Sequence, residues 1–173
     1  MKIQDVIVML NQMEHDGVIK RYAIGGAVGA TFYLEPVSTL DVDVFIAFKP
    51  PQESIIVSPV PIFDYLKGFG CKMEGEYIVI SGWPVQFLPA NGPLLEDALD
   101  NAVKVDVEGV PARVLTAEYL AAVALQIGRA KDKARVLQFV ESNALDKSRF
   151  EAIISRHQLT DAWEKFQRQF LTS

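Results

Sequence analysis

The chain has 173 residues, enough for one packed domain with a small appended unit. Hydrophobic residues make up 50% of it and charged residues 23%, a balance that excludes an intrinsically disordered chain. A net charge of −5 argues against a broad basic surface for nucleic acid, and the single cysteine, Cys71, excludes an internal disulfide or a cysteine-rich zinc centre.

Cys71 reads as a small buried hydrophobe. His15 and His157, the only histidines, lie at opposite ends of the chain, so an oxygen-ligated hard cation fits better than an imidazole site. The apolar run in MKIQDVIVMLNQMEHDG is short and closes at Asn11-Gln12, so it reads as neither a signal peptide nor a membrane span. A soluble cytoplasmic protein with no membrane partner is expected.

In chain order, Ile3, Val6, Ile7, Leu10 and Met13 recur at helical spacing and predict a helix over Ile3–His15, ended by Asp16-Gly17. Arg21–Ile24 reads as a strand, Gly25-Gly26 as a turn, and Ala27–Leu34 as a helix whose small residues allow close approach to a sheet. Glu35-Pro36 stops that helix, Ser38 and Thr39 follow in a loop, and Leu40–Phe48 is a second strand. Lys49-Pro50-Pro51 opens a loop, and Pro61–Phe69 is helical up to Gly70. Glu76–Ile80 and Pro84–Leu88 form a hairpin around Ser81-Gly82-Trp83. Leu94–Asn101 is a helix, and Val103–Val107 and Val110–Leu115 are strands joined at Glu108-Gly109.

From Thr116 the period stays helical. Thr116 is the expected N-cap of Ala117–Ile127, and Lys131–Glu141, Ser148–Arg156 and Thr160–Phe170 follow. The expected division is a core over 1–115 and a helical subdomain over 116–173.

Two local features carry chemistry. Gly25-Gly26 joins a strand to a helix, which lets backbone approach a phosphate at a helix N-terminus; a tight turn that needs glycine sterically is the alternative. A dinucleotide fingerprint fits poorly, because Ile24 occupies its first glycine position. Asp41-Val42-Asp43 is the second feature. Side chains alternate along a strand, so Asp41 and Asp43 point the same way at the head of an apolar run. Two carboxylates on one face repel each other and lose hydration, and a cation between them relieves both costs.

Gly25, Gly26, Asp41 and Asp43 together resemble the nucleotidyltransferase superfamily that includes DNA polymerase beta and the minimal nucleotidyltransferases. The stretch LTAEYLAAVALQIGRAKDKARVLQFV looks like the helical region of the abortive-infection (AbiE-type) toxin branch. The resemblance implies an α/β (α+β) fold: a mixed, twisted sheet of about five strands, helices packed on one side, and a C-terminal helical subdomain. It implies Mg²⁺ or Mn²⁺ ions about 3.5–4 Å apart on Asp41 and Asp43. Gly25, Gly26, Ser38, Thr39, Arg129 and Lys131 would hold the NTP, and the acceptor hydroxyl would belong to a protein, an RNA or a small molecule. The sequence also departs from the pattern. Gln86 stands where the family carries a third catalytic carboxylate, Gln126 where the toxin-like branch carries a lysine, and Arg135 where it carries an acid. Glutamine takes no proton and ligates Mg²⁺ poorly; Glu76, on the neighbouring strand of the hairpin, substitutes for the missing carboxylate only if its register brings it to the same face. The expectation is therefore a nucleotide and metal site with impaired turnover, or a non-catalytic nucleotide- or partner-binding member of a toxin–antitoxin pair.

Overall fold

A computed structural model describes residues 2–36, 38–48 and 58–172. The proline loop expected at Lys49-Pro50-Pro51 lies outside the described residues. The helices are α1 (Ile3–His15), α2 (Gly26–Ala30), α3 (Val60–Gly68), α4 (Pro93–Asp100), α5 (Ala117–Ile127), α6 (Ala130–Glu141), α7 (Lys147–Arg156) and α8 (Thr160–Phe170). The strands are β1 (Arg21–Ile24), β2 (Val42–Ala47), β3 (Lys72–Glu74), β4 (Tyr77–Ile80), β5 (Trp83–Pro89), β6 (Val103–Val107) and β7 (Val110–Val114).

Among the described residues the strands form one mixed sheet of seven, in the order β3-β4-β5-β2-β1-β7-β6. β2 runs antiparallel to β1 and parallel to β5, while β1 runs parallel to β7. The sheet exceeds the expected five strands partly through β3, whose residues Lys72, Met73 and Glu74 are all exposed. A short, polar edge strand carries no apolar alternation to read, which is also how edges avoid pairing with other chains.

Helices cover both faces, not one. Tyr22, Ile24, Val44 and Ile46 face Val6, Ile7 and Leu10 of α1 and Ile62 and Leu66 of α3. Ala23 and Phe45 alternate with them and face α4, α5 and the helices beyond. A central strand buried on both sides reads as continuous apolar sequence, so the pattern marks it as buried without counting the layers.

α2 is a single turn ending at Ala30, not a helix reaching Leu34. α5 is the axis of the second layer: every residue from Ala117 to Leu125 is buried. Such all-round burial demands neighbours on every side, and α5 packs against α2, α4, α6, α7 and α8. Thr116 caps it as expected, accepting a bond from the Tyr119 N–H. Trp163 sits edge-on to Phe150 and stacks on Phe166, so it serves packing. His157 ends α7 and is buried against Asp97 of α4 at 2.7 Å. Among the described residues no helix is long and apolar enough to cross a membrane.

Candidate functional site

Odd-numbered residues of β2 face the second helical layer, so Asp43 shares its face with Phe45, and Asp41 precedes it at the strand's mouth. Between this face and helices α5 and α6 lies a cleft of about 950 Å³. Asp41, Asp43, Gln86, Gly26, Ser38, Thr39, Arg129 and Lys131 all line it. Eight of the nine residues singled out from sequence therefore meet in one cavity, although they come from separate parts of the chain. Gly25 does not line it.

The two glycines have separate steric reasons. A Cβ on Gly25 would lie 2.4 Å from the Phe45 ring, and one on Gly26 only 2.0 Å from the Asp43 carboxylate oxygen Oδ2. Gly26 also has φ +57°, a left-handed conformation that a side chain disfavours. The Gly25 N–H donates to the Asp43 carbonyl at 2.9 Å, which ties the turn to β2 beside the carboxylate. For Gly25 the tight-turn reading accounts for the residue; Gly26 is what lets the turn sit against Asp43. Thr39 Oγ1 donates to the Asp41 carbonyl at 3.1 Å, bracing the loop that carries Asp41.

Register places Gln86 with care. Asp43 of β2 pairs with Gln86 of the parallel strand β5, so the amide stands beside the carboxylate on the cleft face. Gln86 Nε2 donates to Glu76 Oε2 at 3.2 Å. Glu76 lies in the turn before β4, not within the expected strand Glu76–Ile80.

The opposite wall is basic. Arg129 is the N-cap residue of α6, and its guanidinium is held by the buried Asp132 carboxylate, with Nε to Oδ2 at 2.6 Å. That pairing raises the Arg129 pKa. Lys131 is exposed at the cleft wall. Arg135, one helical turn beyond Lys131, also faces the cleft with its side chain mostly buried. Gln126 is exposed and does not line the cavity. Burial pushes the Asp43 pKa up, and the neighbouring Asp41 charge pushes the same way; Arg135, Lys131 and Arg129 oppose both. Phe45, Leu88 and Leu120 give the cleft an apolar floor between these charges.

Arg135 and Tyr77 are cleft residues that the sequence reading did not assign to the site. Arg135 was legible as the residue four beyond Lys131, on the same helix face. Tyr77 was legible from the hairpin: Ile78 pairs with Val85, so Tyr77 falls opposite Gln86.

The donor set bears on which cation it suits. Among the described residues no group of three or more His, Cys, Asp or Glu side chains is placed to hold a metal. Mg²⁺ does not need such a cage, because it commonly takes one or two carboxylates and completes its shell with water and substrate phosphates. Asp41 and Asp43 fit that mode, with the cation arriving on a nucleotide.

Two solved structures share this architecture. One is an antigenic nucleotidyltransferase-like protein from Paracoccidioides brasiliensis, with a TM-score of 0.58 and 12% identity over 96% of this chain and 92% of that one. The other is the antibiotic-resistance factor ANT(2'')-Ia in solution, with a TM-score of 0.52 and 11% identity over 96% of this chain and 97% of that one. The fold is nucleotidyltransferase-like. No family model matches the sequence. No curated protein matches it either. At these identities the likeness speaks for architecture alone.

Proposed function

We propose that the protein binds a Mg²⁺-nucleoside triphosphate in this cleft and transfers the nucleoside monophosphate to a hydroxyl. The observation that carries the proposal is charge placement: Asp41 and Asp43 on one wall, Lys131 and Arg135 on the other, across an apolar floor. A triphosphate needs cations on its oxygens from both sides, and the leaving pyrophosphate gains charge as the reaction proceeds. When bound, the Mg²⁺ neutralises phosphate oxygens and draws the triphosphate against β2. Lys131 and Arg135 would meet the distal phosphates, and Arg129, already held by Asp132, would set the cleft's rim. The Gly26 turn seats closely against Asp43 and so fixes where that carboxylate stands, and Ser38 and Thr39 offer hydroxyls at that end.

The likeness of residues 114–140 to the abortive-infection branch supports a protein or RNA acceptor. Gln86, which takes no proton, favours a second reading in which nucleotide is bound without turnover. Calorimetry with Mg²⁺-ATP and the other common NTPs tests binding, and label transfer from α-labelled NTP into cell extract tests the reaction. Binding abolished by Asp41→Ala or Asp43→Ala supports the site. Absence of binding by every NTP rules it out, and binding without any transfer selects the second reading.

A further inference from the structure

Position 86 lacks the carboxylate that would take a proton, yet the cleft has another within reach. Asp43 pairs with Gln86, Tyr77 falls opposite Gln86 on its other side, and Glu74 pairs with Tyr77. These four side chains form a row across β2, β5, β4 and β3 on the cleft face. Glu74 and Tyr77 are joined by a two-residue turn, Gly75-Glu76, with Gly75 at φ +63°. A left-handed glycine at the first position is what a type II′ hairpin turn requires. The tight turn puts Glu76 at the tip of the hairpin, on the cleft wall, where its carboxylate accepts the Gln86 amide N–H at 3.2 Å.

We propose that Glu76 is the proton acceptor for the transfer, oriented by Gln86. The inference rests on the Mg²⁺-nucleotide reading above. An acid at position 86 would repel Glu76, whereas the neutral amide donates to it and draws it toward Asp43. The two positions thus exchange roles: β5 carries the donor and the β3–β4 turn carries the carboxylate. Asp41 and Asp43 are committed to the cation. In the step itself the acceptor's O–H proton passes to Glu76 as its oxygen bonds to the α-phosphorus. The bond from the α-phosphorus to the α,β-bridging oxygen breaks, and pyrophosphate leaves with that electron pair. Glu76 then returns its proton to water. Glu76 touches the reacting hydroxyl, and Gln86 is a positioning residue.

The test compares wild type, Glu76→Gln, and the exchange variant Glu76→Gln/Gln86→Glu. Each is measured for Mg²⁺-ATP binding by calorimetry, and for transfer from α-labelled NTPs to cell extract across a pH series. Glu76 is exposed at a hairpin tip, so its substitution leaves the fold intact. Expected results are unchanged ATP affinity in Glu76→Gln, transfer reduced about 100-fold, and loss of the acidic limb of the pH profile. The exchange variant, which returns a carboxylate to β5, recovers most of the rate. Transfer by Glu76→Gln within about threefold of wild type overturns the inference alone, because binding still stands. So does an exchange variant no faster than Glu76→Gln, or a wild type that binds but transfers nothing. A wild type that binds no Mg²⁺-NTP overturns this inference and the reading beneath it together.

Discussion

Gly26→Ala strikes the cleft at its tightest point. A Cβ there would lie 2.0 Å from Asp43 Oδ2, 2.8 Å from its Cγ and 2.9 Å from its Cβ, so the Asp43 side chain must leave its place. The left-handed φ of +57° adds about 1–2 kcal/mol of backbone strain, and overpacking adds about 1–3 kcal/mol. A loss of roughly 3 kcal/mol lowers the melting temperature of a chain this size by about 6–12 °C. Because the displaced group is a proposed cation ligand, Mg²⁺-ATP affinity also falls by at least about tenfold, or 1.4 kcal/mol. Two variants separate the causes. Gly25→Ala meets the Phe45 ring at an unstrained φ of −126°, so it costs stability without moving the carboxylate. Gly68→Ala meets nothing within 4 Å at the end of α3 and should be neutral, or stabilising by about 0.5 kcal/mol. Thermal melts and calorimetry read both effects. A Gly26→Ala protein that melts within about 2 °C of wild type and binds Mg²⁺-ATP unchanged refutes the reasoning.

Asp43→Asn removes a carboxylate whose pKa is raised by burial and by Asp41. A raised carboxylate pKa destabilises the apo fold above that pKa, so the variant should melt higher than wild type at neutral pH while losing Mg²⁺-ATP binding; the stability gain should vanish as the pH falls toward the ordinary carboxylate range. The three basic residues should separate in calorimetry and melts. Lys131→Ala and Arg135→Ala each weaken ATP binding about tenfold, or 1.4 kcal/mol. Arg129→Ala instead costs about 1 kcal/mol of stability, because the buried Asp132 carboxylate loses the guanidinium that donates to it and keeps only the backbone N–H of residue 129. On the far side of α5, burial pushes the Asp97 pKa up, but hydrogen bonds from His157, Tyr119 and Arg156 outweigh it and hold the carboxyl below its ordinary value. A lowered carboxylate pKa stabilises above the unfolded value and fades as the pH falls through the folded one. Asp97→Asn should therefore cost about 1–2 kcal/mol near neutral pH. It should cost almost nothing in strong acid, as a denaturant series at each pH will measure.

Most of the elements were legible because each carries a local signal. The stripe of Val6, Ile7, Leu10 and Met13 specifies α1 wherever it packs, and all four residues are buried. β3 was not legible, since its residues are exposed and its pairing with β4 alone makes it a strand. α2 was overextended because the small residues after Gly26 read as helix, while tertiary position ends it at Ala30. The second helical layer was invisible in β1 and β2, whose residues are apolar toward both faces. Within the cleft, the Asp41 and Asp43 pair was legible from strand alternation, although the strand begins at Val42 and not at the expected Leu40, which leaves Asp41 on the loop at its mouth. Glu76 was legible as a carboxylate near Gln86 on the hairpin, but only the strand register and the turn decide that it meets the Gln86 amide.

The sequence by itself determined which groups this protein has to work with: two carboxylates one residue apart before an apolar strand, two glycines before a helix, and basic residues where α6 begins. Those are short-range facts, set by strand alternation and by capping and turn chemistry. Which of those groups meet was decided by the sheet. Residues 26, 43, 86 and 131 share one cavity only because β2 lies between β1 and β5 and α5 carries α6 over that face. Strand order and register depend on packing between segments distant in sequence, and so does the placement of Glu76 against Gln86. No local periodicity encodes a contact whose partners are brought together only when both faces of the sheet are covered.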